Sequence, residues 1–171
     1  VQGVNDNKLN SNHNIISNGS CTTNCLAPIA MTLENNIGIE SGFMTTIHSF
    51  TGDQRTVDQA HTDLRRARTA SSSMIPTTTG AAKAIGLVIP SLIGKLDGTA
   101  IRVPTQNVSL IDLTFTSKKT TTVKKINQLM INESKKKKMQ NILSVNNLPL
   151  VSIDFNHSPH SSIFDLTQTQ V

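Results

Sequence analysis

Strand-forming runs and helical spacings are interleaved here without the regular strand-then-helix alternation of a doubly wound sheet. That irregular order constrains the fold most, and it favours an α+β layer, a sheet with helices on one face. Gly98–Val103 and Val108–Thr116 are β-branched runs, the second alternating, and both predict strands. Further strands are expected over Phe43–His48, Leu150–Phe155 and Ser162–Leu166, with a short one at Ile15–Ser17. Helical spacing runs from Cys21 to Glu34, with Leu26, Ile29, Ala30 and Leu33 on one face. Pro28 falls inside it and should bend the helix or remove one hydrogen bond. A second helix is expected from Thr79 to near Pro90. A third runs from Thr122 to about Lys138, with Val123, Ile126, Leu129 and Met130 inward. With five Phe and neither Trp nor Tyr, the core must be built from Ile, Leu, Val, Met and Ala.

The segment richest in chemistry is Ser20-Cys21-Thr22-Thr23-Asn24-Cys25. A cysteine opening a helix feels the positive end of the dipole and free backbone N–H groups, which favour the thiolate. Those N–H groups can also receive an oxyanion formed when the thiolate attacks a carbonyl. Cys25, one turn on, reads as buried filler, and two thiols are too few for a zinc site. A thiolate needs a base. Of the five histidines, His48 ends a buried-looking strand and begins a long polar loop, residues 49–73, which suits a group projecting into a site. His13 and His61 lie in polar loops. His157 and His160 flank Pro159 with no third ligand, so no metal site is expected.

Anion recognition is the third element. Thr77-Thr78-Thr79-Gly80 precedes a helix, so hydroxyls and N–H groups converge on its positive end. Thr51, Arg66 and Arg102 add donors, and Arg suits bidentate phosphate contact. Two anion clusters are expected, one around Ser20 and Thr79 and one around Thr51 and Arg102.

Formal net charge is +5, much of it in Lys135–Lys138 with Lys118, Lys119, Lys124 and Lys125 nearby. No base-stacking aromatics are interleaved, so the block reads as a solvated helix end or loop and no nucleic-acid partner is expected. No apolar stretch of about 18 residues exists, so no membrane span is expected. No signal peptide is visible and the two cysteines make no disulfide scaffold, so a cytoplasmic, reducing setting is expected. The chain opens on Val1-Gln2-Gly3-Val4-Asn5, which reads like the middle of a strand, and stops at Val171 after another. Both ends suggest a segment of a longer protein.

Ser17-Asn18-Gly19-Ser20-Cys21-Thr22-Thr23-Asn24-Cys25-Leu26-Ala27-Pro28 resembles the active-site signature of the glyceraldehyde-3-phosphate dehydrogenase family, with Gly19 where that signature usually has Ala. Collinear matches follow at Thr45–Ser49, Asp53–Arg55, Asp63–Arg68, Ile75–Ala84, Gly94–Gly98, Arg102–Thr105 and Ser152–Asn156. The phrasing is most like the bacterial form and covers essentially the whole chain.

The resemblance implies a mixed or antiparallel sheet of the family's catalytic domain over residues 21–171, truncated C-terminally, with a remnant of a Rossmann cofactor domain over 1–20. It implies that Cys21 attacks the aldehyde of glyceraldehyde 3-phosphate and that His48 takes the proton. The product would be 1,3-bisphosphoglycerate, made in glycolysis with inorganic phosphate. Thr51, Asp53 and Arg102 match the family's site for the substrate's phosphate. Ser20, Thr22, Thr79, Gly80 and Arg66 match the site for the attacking phosphate. The implied cofactor is NAD, its site mostly outside this chain because no G-x-G-x-x-G turn is present. NADP stays open, since Ala60 precedes His61 where many NAD-preferring members carry Pro. The isolated segment is expected to be inactive, and the full-length protein to be a homotetramer. Three other readings compete: erythrose-4-phosphate dehydrogenase, a cysteine hydrolase or acyltransferase, and a truncated, non-catalytic basic binding protein associating with RNA.

Overall fold

The computed structural model describes residues 1–171. Three helices are formed: α1 (Cys21–Asn36), α2 (Ala81–Val88) and α3 (Val123–Ser134). Four strands, β1 (Ile39–Ser49), β2 (Ile75–Thr78), β3 (Leu96–Val103) and β4 (Ser109–Ser117), make one sheet in the order β2-β3-β1-β4. β1 is parallel to β3, and the outer pairs are antiparallel, so the sheet is mixed. A separate two-stranded parallel sheet joins β5 (Leu143–Asn146) to β6 (Ser162–Asp165).

Strand side chains alternate between faces, and one face holds the core. Met44 and Leu96 are buried together with Leu26 and Leu33 of α1, Ala81, Ala82 and Ile85 of α2, and Ile126 and Met130 of α3. Ile111, Leu113 and Phe115 of β4 pack against this cluster. The opposite face leaves Phe43 and Leu110 exposed. All three helices therefore cover one side of the sheet, as the α+β expectation has it. The approach of α2 is close because Gly98 lacks a side chain. A Cβ there would sit 2.6 Å from the Met44 carbonyl oxygen and 3.4 Å from the Ala82 methyl.

The parallel register of β1 and β3 positions the chemistry. It sets His48 beside Arg102 at the C-terminal ends of the two strands, on the helix-covered face. β2 then pairs Ile75 with Arg102 and Thr77 with Ala100.

Several local expectations are corrected. Ile15–Ser17 forms no strand; Ile15 is 94% exposed and Ile16 65%, since an isolated run finds no partner within the chain for its backbone groups. Val1–Asn5 is a turn, the Val4 and Asn5 N–H groups donating to the Val1 carbonyl. Leu150–Phe155 is not a strand but ends in a 3-10 turn, Ser152–Phe155, with Val151 and Ile153 exposed. α3 stops at Ser134, four residues short, because Lys136 is extended and a 3-10 turn follows at Lys137–Met139. The four lysines are solvent-exposed there. Val123 is exposed rather than inward, being the first residue of its helix. β1 begins at Ile39, upstream of Phe43, because Gly38 at φ 73 turns the chain out of α1 directly into the sheet. β2 and β5 have no counterpart among the expected strands: each is four residues long, and β2 carries Pro76, which an edge strand tolerates. Within α1, Pro28 has no N–H, so the Asn24 carbonyl lacks its intrahelical donor although the helix continues. Residues 1–20 hold turns, bends and irregular backbone, with a 3-10 turn at Asp6–Lys8 and no α-helix or strand.

Candidate active site

Cys21 is the first residue of α1, and the turn before it is tied down on both sides. Ser20 caps the helix: its Oγ accepts from the Thr23 N–H at 3.1 Å, and its carbonyl accepts from the Asn24 N–H at 2.9 Å. The Asn24 side-chain amide donates back to the carbonyls of Asn18 and Ser20 at 2.8 and 2.9 Å. Gly19 takes φ 74, a left-handed conformation that suits glycine. Of the four N–H groups that open the helix, those of Cys21 and Thr22 have no partner within the chain. They lie beside the Cys21 thiol, which is solvent-exposed.

His48 reaches this thiol from the end of β1, its Nε2 lying 3.3 Å from Cys21 Sγ. On the far side of the ring, Nδ1 is 2.7 Å from the Ser49 carbonyl oxygen and 2.7 Å from Arg102 Nη1. Arg102 Nη1 also donates to the Ser49 carbonyl at 2.9 Å, while Arg102 Nε is buried with no partner. Burial pushes the Arg102 guanidinium below its usual value; the nearby Cys21 and Asp53 oppose that shift, and Arg66 adds to it. Cys21, His48 and Arg102 thus form one contiguous unit with Asp53 and Arg66 within electrostatic reach.

The remaining predicted site residues hydrogen-bond to one another and to nearby backbone. Arg66 and Asp53 were assigned to different clusters, yet they pair, Nη1 to Oδ2 at 2.7 Å. Arg66 Nε and Nη2 donate to Thr77 Oγ1 at 2.9 and 2.6 Å. The Thr51 N–H and hydroxyl donate to the Gln54 side-chain oxygen at 3.0 and 3.2 Å. Thr22 is buried. Thr79 Oγ1 accepts from the Ala81 N–H at 3.2 Å, and Gly80 is the N-cap of α2, with open space beside its Cα. The hydroxyls of Ser20 and Thr79 each serve their own helix start.

Three contacts within the chain are not legible in a linear reading. Gln54 is only 3% exposed despite its polar loop, Thr77 anchors Arg66, and the Ser49 carbonyl orients His48. Gln54 and Thr77 fall within matched motifs; Gln54 bonds its near neighbours Thr51 and Asp53, whereas the Arg66–Thr77 bond joins residues well apart in sequence. Cys25 is not disulfide-bonded; burial raises its thiol, and its Sγ donates to Ser162 Oγ at 3.6 Å. A cleft of about 420 Å³ between Asp63–Arg65 and β2 includes neither Cys21 nor His48.

Chemically, the start of α1 offers an accessible sulfur nucleophile, a ring nitrogen in hydrogen-bond reach and free N–H donors, with arginines alongside. Residues 20–171 match the family model described as glyceraldehyde 3-phosphate dehydrogenase, C-terminal domain. Across all 171 residues the chain is 58% identical to a glyceraldehyde-3-phosphate dehydrogenase of Xanthobacter flavus, covering 51% of that protein. It is 55% identical to the one from Zymomonas mobilis subsp. mobilis, again over 51% of its length, and 50% identical to glyceraldehyde-3-phosphate dehydrogenase 2 of Staphylococcus aureus, over 49%. The chain therefore spans about half the length of the relatives it matches.

Proposed function

Because the chain belongs to the glyceraldehyde 3-phosphate dehydrogenase C-terminal domain family, we propose that residues 21–171 carry the catalytic domain of a phosphorylating, cysteine-dependent aldehyde dehydrogenase. Its proposed substrates are D-glyceraldehyde 3-phosphate and inorganic phosphate, and its product is 1,3-bisphosphoglycerate, in glycolysis. The observation that carries this reading is the 3.3 Å approach of Cys21 Sγ to His48 Nε2 at the start of α1. Residues 1–20 are proposed to belong to the cofactor-binding half. The same reading includes a homotetramer in the cytoplasm.

In this mechanism the Cys21 thiolate adds to the aldehyde carbon, forming a C–S bond. The carbonyl electron pair moves to oxygen, where the free N–H groups of Cys21 and Thr22 receive it. His48 exchanges the proton with that oxygen or with the sulfur. Loss of a hydride from the former aldehyde carbon, to an acceptor bound outside these residues, would leave a thioester on Cys21. A phosphate oxygen then attacks the thioester carbon, the C–S bond breaks and the thiolate is restored. Arg66, Thr79 and Gly80 are the proposed contacts for that phosphate, with Ser20 and Thr22. Thr51, Asp53 and Arg102 are the proposed contacts for the phosphate already on the substrate.

The oxidation needs a hydride acceptor, NAD or NADP in this family reading. Residues 1–171 do not fit one: they contain no glycine-rich strand-to-helix turn, and residues 1–20 form no sheet on which a dinucleotide could lie. The residues present hold the substrate side of the reaction.

Acetyl phosphate tests the reading without a cofactor, by reversal of the last step. The Cys21 thiolate attacks its carbonyl carbon, the C–O bond breaks, and phosphate leaves with the electron pair. Mass spectrometry should find one acetyl group on Cys21, absent in Cys21→Ser and slowed in His48→Asn. An unmodified Cys21 would overturn the proposed function.

A further inference from the structure

The His48 ring is held in two ways that exclude each other. Nδ1 sits 2.7 Å from the Ser49 carbonyl, which can only accept, and 2.7 Å from Arg102 Nη1, which can only donate. One nitrogen cannot donate and accept at once. With Arg102 in contact, Nδ1 must keep its lone pair, so a neutral ring carries its proton on Nε2 and presents N–H to the Cys21 sulfur at 3.3 Å. In that form Nε2 can stabilise a thiolate but cannot take a proton. If Arg102 withdraws, Nδ1–H can donate to the Ser49 carbonyl, and Nε2 becomes the free base facing Cys21.

Arg102 has a reason to withdraw. Its Nε is buried without a partner, and its Nη1 is shared between a ring nitrogen and a carbonyl also claimed by that ring. A phosphate dianion offers this guanidinium a bidentate, fully charged acceptor instead. The charged groups facing the assembly are Cys21 from α1, Arg102 from β3, and Asp53 and Arg66 from the loop between β1 and β2. On β4 the neighbour of His48 in register is Ser109, which does not titrate here. No carboxylate hydrogen-bonds Nδ1, so the choice of tautomer is left to Arg102 and Ser49.

We propose that Arg102 is a positioning residue that sets the tautomer of His48. A phosphate monoester bound at Arg102 draws it off Nδ1 and switches Nε2 from hydrogen-bond donor to base. The inference rests on the function proposed above and deepens it: a phosphate remote from the reacting carbon arms the base that serves it. Phosphorylated aldehydes are then favoured through the chemical step as well as through binding.

The test is nitrogen NMR of the full chain labelled at histidine, with His48→Asn used to assign the resonances of His48 and phosphite dianion as the probe. Without phosphite, His48 should be protonated on Nε2. As phosphite is added, until the Arg102 side-chain Nε resonance stops moving, the proton should pass to Nδ1. Arg102→Gln should show the Nδ1-protonated form with or without phosphite. A tautomer that is the same before and after titration overturns the inference, as does an Arg102 resonance that never moves or an Arg102→Gln ring protonated on Nε2. Acetylation of Cys21 by acetyl phosphate separates the two levels. If Cys21 acetylates while the tautomer ignores phosphite, only this inference falls; if Cys21 does not acetylate, the proposed function falls with it.

Discussion

The Asp53 carboxylate and the Arg66 guanidinium meet at 2.7 Å, so the side chains assigned by motif to two different phosphate contacts hold each other. Arg66 is further fixed by Thr77 Oγ1 and by Asp63, whose Oδ2 lies 3.4 Å from Nε, while Asp53 holds the Nη1 that an incoming anion would contest.

Asp53→Asn should therefore strengthen phosphate binding at Arg66. The pair is partly solvent-exposed, 24% and 51% on its two sides, so it is worth well under 1 kcal/mol, and the gain should be about two- to four-fold. Protection of Cys21 from iodoacetate by inorganic phosphate measures it. Protection at unchanged or higher phosphate concentrations would mean that Arg66 is not the phosphate contact.

If the proposed reaction holds, His48→Asn should lower turnover of the full-length protein by about 10²–10⁴-fold, the range of a positioned acid–base group, with little change in KM for the aldehyde. The Cys21 sulfur would keep its helix N-terminus, so alkylation by iodoacetate should persist. A loss smaller than tenfold would count against the ring at 3.3 Å as the proton carrier.

Glu34 gives the fold an acid-sensitive joint. Burial alone would raise its carboxyl, but the Ile39 N–H at 2.6 Å and Lys95 at 3.0 Å outweigh that and hold it below its usual value of 4.5. A depressed carboxyl stabilises the fold above its unfolded value and loses that contribution as pH falls through the folded one. Glu34→Gln should cost about 1–2 kcal/mol at neutral pH, since the amide oxygen still accepts from Ile39. The gap from the parent should narrow below about pH 4.5 and close in stronger acid. Urea unfolding across pH would reveal it; a gap constant with pH would rule the carboxylate out.

Gly98→Ala should destabilise by about 1–3 kcal/mol, the usual penalty of overpacking. The added Cβ would lie 2.6 Å from backbone, the Met44 carbonyl, which has no rotamer to move to. The same change at Gly80, where nothing lies within 4 Å, should be nearly neutral. Thermal unfolding of the two variants side by side distinguishes a packing penalty from a general intolerance of glycine replacement.

Local pattern determined a good deal. Helical spacing marked α1 and its buried face, β-branched runs marked β3 and β4, and a serine before a cysteine placed Cys21 at a helix start. These are legible because the periods of 3.6 and 2 residues and the unsatisfied N–H groups of a first turn are properties of neighbouring residues alone. Where the pattern misled, the deciding partner was distant. Ile15–Ser17 has strand-like residues and no strand beside it, whereas Ile75–Thr78 is short, contains Pro76 and is a strand because β3 is there to pair with it. The same distinction runs through the site. That Cys21, His48 and Arg102 belong together follows from the motifs that the chain shares with its family. That His48 and Arg102 compete for one carbonyl, and that Asp53 closes on Arg66, follows only from the parallel register of β1 and β3 and the path of the loop beside them. Hydrogen bonds between residues far apart in sequence are set by where strands come to rest, and no spacing within the chain encodes which of two donors reaches an acceptor first.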